Sequence, residues 1–161
     1  MIRTLGAPDA VAYNALLTRG VRQHPDTLRI AEADIDERPF ETNASSEAVT
    51  FAAVTDDGTL IGTVAVERER GRVKRRHVAW LLRMYVPLEA AGRGVGRALL
   101  LRGIEHARSL PGVEKLNLTV AAHNARAVAL YEGQGFREFS REEDAFRDPT
   151  PRTELSMCLR L

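Results

Sequence analysis

Residues 81–101 read LLRMYVPLEAAGRGVGRALLL, and this order of an apolar run, a proline, a glycine-rich turn and a helix-forming run decides the fold. Glycines at positions 92, 94 and 96 let the backbone adopt positive φ and let a ligand approach it closely. A helix that begins near Gly94 leaves its first amides unpaired and points the positive end of its dipole at the turn. The stretch therefore predicts a strand, a turn and a helix that bind a phosphate-bearing ligand, with Arg93 and Arg97 adding positive charge.

The residues after the turn distinguish between phosphate-binding motifs. A P-loop needs Gly-Lys followed by Ser or Thr, whereas Gly96 is followed by Arg97 and Ala98. A GxGxxG dinucleotide fingerprint would need glycine in place of Arg97, although Glu114 has the spacing of an acidic ribose partner. A plain connector would not need three alternate glycines. The pattern thus excludes a P-loop and fits the dinucleotide fingerprint only in part.

The segment VPLEAAGRGVGRALL resembles motif A of the GNAT superfamily of acyl-CoA N-acyltransferases, in which the turn binds the CoA pyrophosphate. The core of the family pattern is matched by Arg93, Gly94, Val95 and Gly96. Its first position, Gln or Arg in the family, is Ala91 here. The resemblance implies that a side-chain contact to CoA from position 91 is missing or replaced.

A second segment, HNARAVALYEGQGF at residues 123–136, follows the strand-like run KLNLTV and has the spacing of the family's motif B. The two motifs occur in the family's order and are separated by one helix and one strand. The resemblance extends roughly from Val49 to Phe139 and implies one α/β (α+β) domain over residues 1–161. Its fold would be a mixed, mostly antiparallel twisted sheet flanked by helices, with the CoA cleft between the two central strands.

The resemblance also assigns the site. The pantetheine arm of CoA pairs in the family with the backbone of the strand before the glycine turn, and a backbone amide there points at the thioester oxygen. The implied cofactor-binding residues are Met84, Tyr85, Val86, Ala91, Gly92, Arg93, Gly94, Val95, Gly96, Arg97, Asn124 and Tyr131. On physical grounds Asn124 is a helix N-cap, and both a cap alone and a cap that also contacts CoA stay open.

Tyr131 is the candidate catalytic residue. It follows Asn124 by seven residues, or two helical turns, so both project from nearly the same face. A phenol is protonated at neutral pH and can donate a proton to a departing thiolate. The alternative is a core tyrosine with its hydroxyl hydrogen-bonded.

No residue is assigned as the general base. Some family members carry Glu or His on the strand before the turn, at positions that match Trp80 and Leu82 here, and neither side chain accepts a proton. Deprotonation of the acceptor would then pass through water to Glu67, Glu69 or His77, for each of which a surface role is the alternative. We expect none of the three to be indispensable. His123, beside Asn124, is interpreted as solvated.

Composition limits the function classes. The chain has 161 residues, 44% of them apolar, and a net charge of +1 from 23 basic and 22 acidic residues. This balance argues against a nucleic-acid or membrane partner, and no metal is expected. The basic run Arg70–Arg76 is interpreted as a solvated turn, with an acidic partner as the alternative. The lone Cys158 is interpreted as structural, and the amino terminus shows no signal peptide, so a cytoplasmic location is expected.

Hydrophobic periodicity predicts the order of elements. Expected strands are 2–5, 50–55, 60–68, 77–86, 113–120, one near Phe136 and 154–159; Asp57-Gly58 forms a hairpin turn. Expected helices are one opened by Pro8-Asp9 that ends near Gly20 or Pro25, one over 95–109 and one over 124–133. The first of these carries Val11 and the second Leu101 among their apolar positions. Residues 26–47 are expected to form a mobile acceptor-side segment with at most a short helix.

The function predicted from these residues is an N-acetyltransferase that transfers the acetyl group of acetyl-CoA to a primary amine. The acceptor is a small molecule or a peptide, and its identity is not encoded in any motif. Two alternatives from other classes are a non-catalytic acyl-CoA-binding sensor and a protein-interaction domain without a ligand. A monomer and a homodimer both stay open.

Overall fold

A computed structural model describes residues 1–42 and 44–161. Seven strands form one sheet in the order β1-β2-β3-β4-β5-β7-β6, in which β4 and β5 are parallel and the other neighbours antiparallel. The strands are Ile2–Thr4 (β1), Ala48–Val54 (β2), Leu60–Arg68 (β3), Val78–Tyr85 (β4), Lys115–Ala121 (β5), Arg137–Arg147 (β6) and Pro151–Arg160 (β7). The helices are Ala10–Gln23 (α1), Glu32–Glu37 (α2), Val95–Ser109 (α3) and Ala125–Glu132 (α4). The predicted mixed, mostly antiparallel sheet is confirmed.

The two faces of the sheet pack against different helices. Alternate strand residues point to opposite faces, so each strand can serve two cores. One core joins the sheet to α3 and α4 and includes Val64, Leu81, Leu99, Leu118 and Phe136. The other joins it to α1 and α2 and includes Leu5, Tyr13, Leu17, Ile35 and Tyr85.

The carboxyl-terminal part of the sheet has a core on one face only. In β7, Met157 and Leu159 are buried in the core with α3 and α4, whereas Cys158 between them is partly exposed on the opposite face. On β5, Thr119 is exposed on that same opposite face. The edge strand β6 is exposed along most of its length. An accessible polar surface therefore lies beside α1 and α2.

Several expected boundaries and faces differ from the structure. Leu101 is 44% exposed, and Leu100 packs into the core instead, because the buried stripe of α3 runs through Leu99, Leu100 and Ile104. Val11 is 83% exposed on the outer face of α1. Helix α1 ends at Gln23, between the two expected ends near Gly20 and Pro25, and Gly20 is a packing position where a Cβ would lie 3.1 Å from the ring of Tyr85.

The segment expected to be mobile contains α2. The carboxylate of Asp34 accepts a hydrogen bond from the backbone amide of Ala31 at 2.7 Å, which caps this helix, and Ile35 packs into the core with α1. The backbone amide of Phe40 donates to the side chain of Asn14 at 2.8 Å and ties the following loop to α1. Asn43, within the same segment, lies outside the described residues.

Candidate active site

The glycine turn has the geometry that the sequence indicates. Gly92 and Gly94 both have φ of 78°, and Gly94 is the N-cap of α3 in the left-handed conformation. The carbonyl of Gly94 accepts the first helical hydrogen bond, from Ala98, at 3.0 Å. The amides of residues 95–97 precede the helical hydrogen-bond ladder and face the turn at the positive end of the helix dipole. The turn thus offers an anion several main-chain donors.

A cleft opens where β4 and β5 part. Their parallel pairing runs from Val78 opposite Lys115 to Trp80 opposite Asn117, and both strands continue beyond it. The cleft has a volume of about 620 Å³ and reaches the glycine turn. Its lining includes Met84, Tyr85, Val86, Ala91, Gly92, Gly94, Val95, Gly96, Arg97, Asn124 and Tyr131. Of the cofactor-binding residues predicted from the sequence, all of which the structure describes, Arg93 alone stands outside this lining; its side chain is exposed.

The strand segment 84–86 presents its backbone to the cleft and divides its side chains between the two faces of the sheet. The side chains of Met84 and Val86 pack on the side of α3, where they lie near Gly96. The hydroxyl of Tyr85 instead donates to the side-chain oxygen of Gln23 on α1 at 2.7 Å. The same oxygen accepts from the amide of Leu88 at 3.2 Å, so the end of β4 and the start of the turn share one anchor.

Asn124 caps α4, as predicted on physical grounds. Its side-chain oxygen accepts a hydrogen bond from the amide of Ala127 at 3.2 Å. The residue also lines the cleft, together with Arg126 in the first turn of the same helix. Among the described residues, neither Arg126 nor Arg97 has a carboxylate partner. The mouth of the cleft is therefore positively charged.

Tyr131 lies at the inner end of the cleft. Its side chain is buried, and its hydroxyl donates to Sδ of Met84 at 3.6 Å. Burial raises the pKa of the Tyr131 phenol to about 12. The ring meets Phe136 edge to face, with the centroids 5.9 Å apart. The phenol thus stays protonated over the physiological pH range, in a place where a newly formed thiolate would also be poorly solvated.

The three residues considered for proton relay differ in their surroundings. The carboxylate of Glu69 accepts two hydrogen bonds from Arg75, at 3.0 and 2.9 Å, and one from the Trp80 indole at 2.7 Å. These bonds lower the pKa of Glu69 to about 2, which makes it a weak base. His77 precedes β4 and lies seven residues from Met84, or about 23 Å along an extended strand. Glu67 is ion-paired with Arg83, the residue before Met84 in β4.

The connection between α1 and α2, residues 24–31, borders the cleft and forms ion pairs with the opposite half of the sheet. His24, Thr27 and Leu28 line the cleft. Asp26 contacts the ring of His123 at 3.2 Å, so His123 has a partner and is not merely solvated as expected. Nε of Arg29 donates to the buried carboxylate of Glu154 on β7 at 3.2 Å.

Residues 26–47 were expected to form an acceptor-side segment, but none of these contacts was predicted. Its residues lack periodicity, and their partners are about 100 or more positions away. A charged residue inside the otherwise apolar strand, Arg83, was also missed, although its position between Leu82 and Met84 was a signal that could have been used.

Comparison with known proteins agrees with the geometry of the site. Residues 15–136 match the model of the acetyltransferase (GNAT) family. The chain belongs to this family. It is 32% identical, over 132 residues, to a mycothiol acetyltransferase of Clavibacter michiganensis subsp. michiganensis, a match that covers 82% of this chain and 40% of that protein. The chain thus spans about two fifths of the length of this curated relative.

Solved structures share the fold over the whole chain. A GCN5-related N-acetyltransferase from Kribbella flavida superposes with a TM-score of 0.83 at 27% identity, covering 100% of this chain and 97% of that one. The protein yncA from Salmonella typhimurium, solved with its cofactor acetyl-CoA, superposes with a TM-score of 0.80 at 17% identity, covering 100% and 93%. The second likeness concerns the fold alone.

The described residues contain no group of three or more His, Cys, Asp or Glu side chains arranged to hold a metal ion. No helix in the described part of the chain is both long and apolar enough to cross a bilayer.

Proposed function

We propose that this chain transfers an acetyl group from acetyl-CoA to a primary amine of a small molecule or a peptide. The observation that carries the proposal is that one cleft joins the glycine turn, the diverging strands and the hydroxyl of Tyr131. Membership of the GNAT acetyltransferase family supports the choice of acyl donor.

The residues present fit acetyl-CoA. Added Cβ atoms at Gly92 and Gly94 would meet no protein atom within 4 Å, so these positions leave room over the backbone for a phosphate. The amides of residues 95–97 can donate to a pyrophosphate, and Arg97 and Arg126 supply positive charge at the mouth. The backbone of residues 84–86 lies past the paired part of β4 and β5, so it can bind the linear pantetheine arm of CoA. When bound, acetyl-CoA would supply a thioester activated towards attack by an amine.

Groups of this chain can assist the chemical steps of the acetyl transfer. A backbone amide of residues 84–86 polarises the thioester carbonyl by hydrogen bonding. The amine would form the new C–N bond as the C–S bond breaks, and the phenol of Tyr131 would give its proton to the departing thiolate and regain one from water. The amine's own proton leaves through water, because Glu69 is too weak a base and His77 is too far away.

The acceptor enters from the partly exposed face of β5 and β7, which carries Thr119 and Cys158 beside the connection between α1 and α2. The same face also carries Lys115, Glu154 and Arg160, so the acceptor would meet both polar and charged side chains. The single cysteine cannot form an internal disulfide, which supports a reducing compartment such as the cytoplasm as the place of action.

Calorimetry with acetyl-CoA, followed by a mass-spectrometric screen of amines and peptides, tests the proposal. We expect saturable binding of acetyl-CoA and a gain of one acetyl group by at least one class of primary amine. Binding without transfer to any amine would favour the sensor alternative. Absence of binding would contradict both.

A further inference from the structure

Arg83 has an unusual backbone conformation for its residue type. Its φ is 49°, and among the described residues other than glycine only Asp144 shares a positive φ. Such a conformation costs free energy in a side-chain-bearing residue and persists where the surroundings hold it. Arg83 lies in β4 directly before Met84, the first residue of the segment that faces the cleft.

The conformation belongs to a bulge in β4. Ala65 of β3 pairs with Leu82, and Thr63 pairs with Tyr85, so a step of two residues on β3 matches a step of three on β4. The extra residue bends the strand and turns the following backbone. Residues 84–86 follow this bend immediately. The bulge therefore sets the direction of the main-chain groups that face the cleft.

The side chain of Arg83 is held from three sides. Its Nε donates to the hydroxyl of Tyr13 on α1 at 3.0 Å, and its guanidinium is bonded to the carboxylate of Glu67 on β3. The ring of Phe40, after α2, lies 5.0 Å from the guanidinium carbon. The Arg83 side chain is 18% exposed. A charge-assisted hydrogen bond, a second acceptor and an aromatic face together fix its position.

We propose that Arg83 is a positioning residue, whose anchored guanidinium holds the β4 bulge so that the backbone of residues 84–86 points at the thioester carbonyl. This inference rests on the proposed function. Polarisation of a carbonyl depends steeply on the direction and length of the hydrogen bond, so a small rotation of the bulge reduces it. Glu67 then acts through Arg83 and takes no proton from the acceptor.

The test measures the thioester directly and needs no acceptor. Acetyl-CoA labelled with ¹³C at the carbonyl is bound to the protein, and its carbonyl stretch is recorded by isotope-edited infrared spectroscopy. In the wild type we expect the band of bound ligand at lower frequency than that of free ligand. Tyr13→Phe removes one hydroxyl from the core on the opposite face of the sheet. We expect it to move the band part of the way back while acetyl-CoA affinity changes by less than about threefold.

Arg83→Gly accepts the positive φ but removes all three anchors, so we expect a larger return of the band towards the free frequency. With any amine that the wild type acetylates, kcat should fall by about tenfold or more in this variant while the KM for acetyl-CoA stays within about threefold. Adding Tyr13→Phe to Arg83→Gly should cause no further shift, because both act through the same guanidinium.

Asp144→Gly is the matched control. It changes the other non-glycine residue with positive φ, on the exposed edge strand β6, where its carboxylate pairs with Arg147. We expect the band, kcat and KM to stay at wild-type values. Circular dichroism melts check that each variant is folded. If Arg83→Gly does not fold, the variants Tyr13→Phe and Glu67→Gln test the positioning role in its place.

A band that stays at its wild-type frequency in the folded variants would overturn the positioning role and leave the proposed function standing. Failure of the wild type to bind acetyl-CoA would overturn the proposed function itself.

Discussion

The hydroxyl of Tyr131 donates to the thioether sulfur of Met84, 3.6 Å away, across the inner end of the cleft. A thioether is a weak acceptor, so this bond holds the hydroxyl in place without competing strongly with a charged acceptor. Met84 belongs to the strand segment that faces the cleft. A sulfur atom brought alongside that segment would therefore come within reach of the phenol.

Tyr131→Phe should lower kcat by about 10² to 10⁴-fold, the range that general acid catalysis supplies. The phenylalanine ring keeps the packing against Phe136, so the affinity for CoA should stay close to that of the wild type. Steady-state kinetics and calorimetry on the same preparation separate the two effects. Unimpaired turnover would return Tyr131 to a purely structural role.

Gly94→Val should abolish CoA binding, because valine disfavours the positive φ at the N-cap and its side chain would occupy the space over the amides of the turn. Gly58→Val is a matched control, since Gly58 also has positive φ, and an added Cβ would likewise meet no atom within 4 Å. It lies in the β2–β3 hairpin. Both variants should lose similar stability, and calorimetry should show lost affinity only for Gly94→Val.

The rate of transfer should rise with pH until the acceptor amine is deprotonated, with an apparent pKa that follows the amine when acceptors of different basicity are compared. Tyr131 should not bring a fall in rate below about pH 10, because its own pKa is raised to about 12.

Glu69→Gln and His77→Ala should each reduce kcat/KM by less than about tenfold. Glu67→Gln should lower kcat without moving the pH profile. A thousandfold loss at Glu69 or His77, with a rate pKa independent of the amine, would reveal a dedicated base.

Arg29→Ala should destabilise the fold by about 1–3 kcal/mol, because it leaves the buried carboxylate of Glu154 without its cationic partner. It should also raise the KM for the acceptor, since the connection between α1 and α2 borders the cleft. Urea unfolding and acceptor titrations measure the two effects. In the background of Glu154→Gln, the stability cost of Arg29→Ala should shrink; an undiminished cost would show that the pair is not the cause.

Acid should remove a stabilising contribution from Glu69. Its pKa is lowered from an ordinary value of 4.5 to about 2, chiefly by the hydrogen bonds from Arg75, so the folded state favours the ionised form. The contribution is therefore fully present above about pH 4.5 and is lost as pH falls towards 2. Glu69→Gln should be less stable than the wild type at pH 7, and denaturant midpoints of the two should converge near pH 2. A constant difference between them would contradict the linkage.

The order of strands and helices, the glycine turn and the cap of α4 could be predicted because their signals are local, whereas the mixed sheet and the cleft between its central strands were implied by the resemblance to the GNAT family. Glycines at fixed spacing, a proline after an apolar run and an asparagine at a helix start each constrain the backbone within a few residues. The prediction of the buried face of α3 was partly wrong, because Leu100 and Leu101 are both leucines and only packing decides which of them is buried.

The acceptor side could not be predicted for a different reason. Its geometry depends on pairs such as Arg29 with Glu154 and Arg83 with Tyr13, separated by 125 and 70 positions. Neither residue of such a pair shows in the sequence which partner it will meet. Glu67 likewise meets Arg83, 16 positions away, and this ion pair is the basis for proposing it as an anchor rather than a base.

The main-chain and side-chain groups of the segment 84–86 point in three different directions. Its main chain lies in the plane of the sheet and faces the gap beside β5, while its side chains extend above and below that plane into two separate cores. Main-chain groups are the same in every residue, so backbone hydrogen bonding to a linear ligand does not depend on which side chains occupy these positions. Selection on ligand binding and selection on packing can therefore act on the same three residues without conflict.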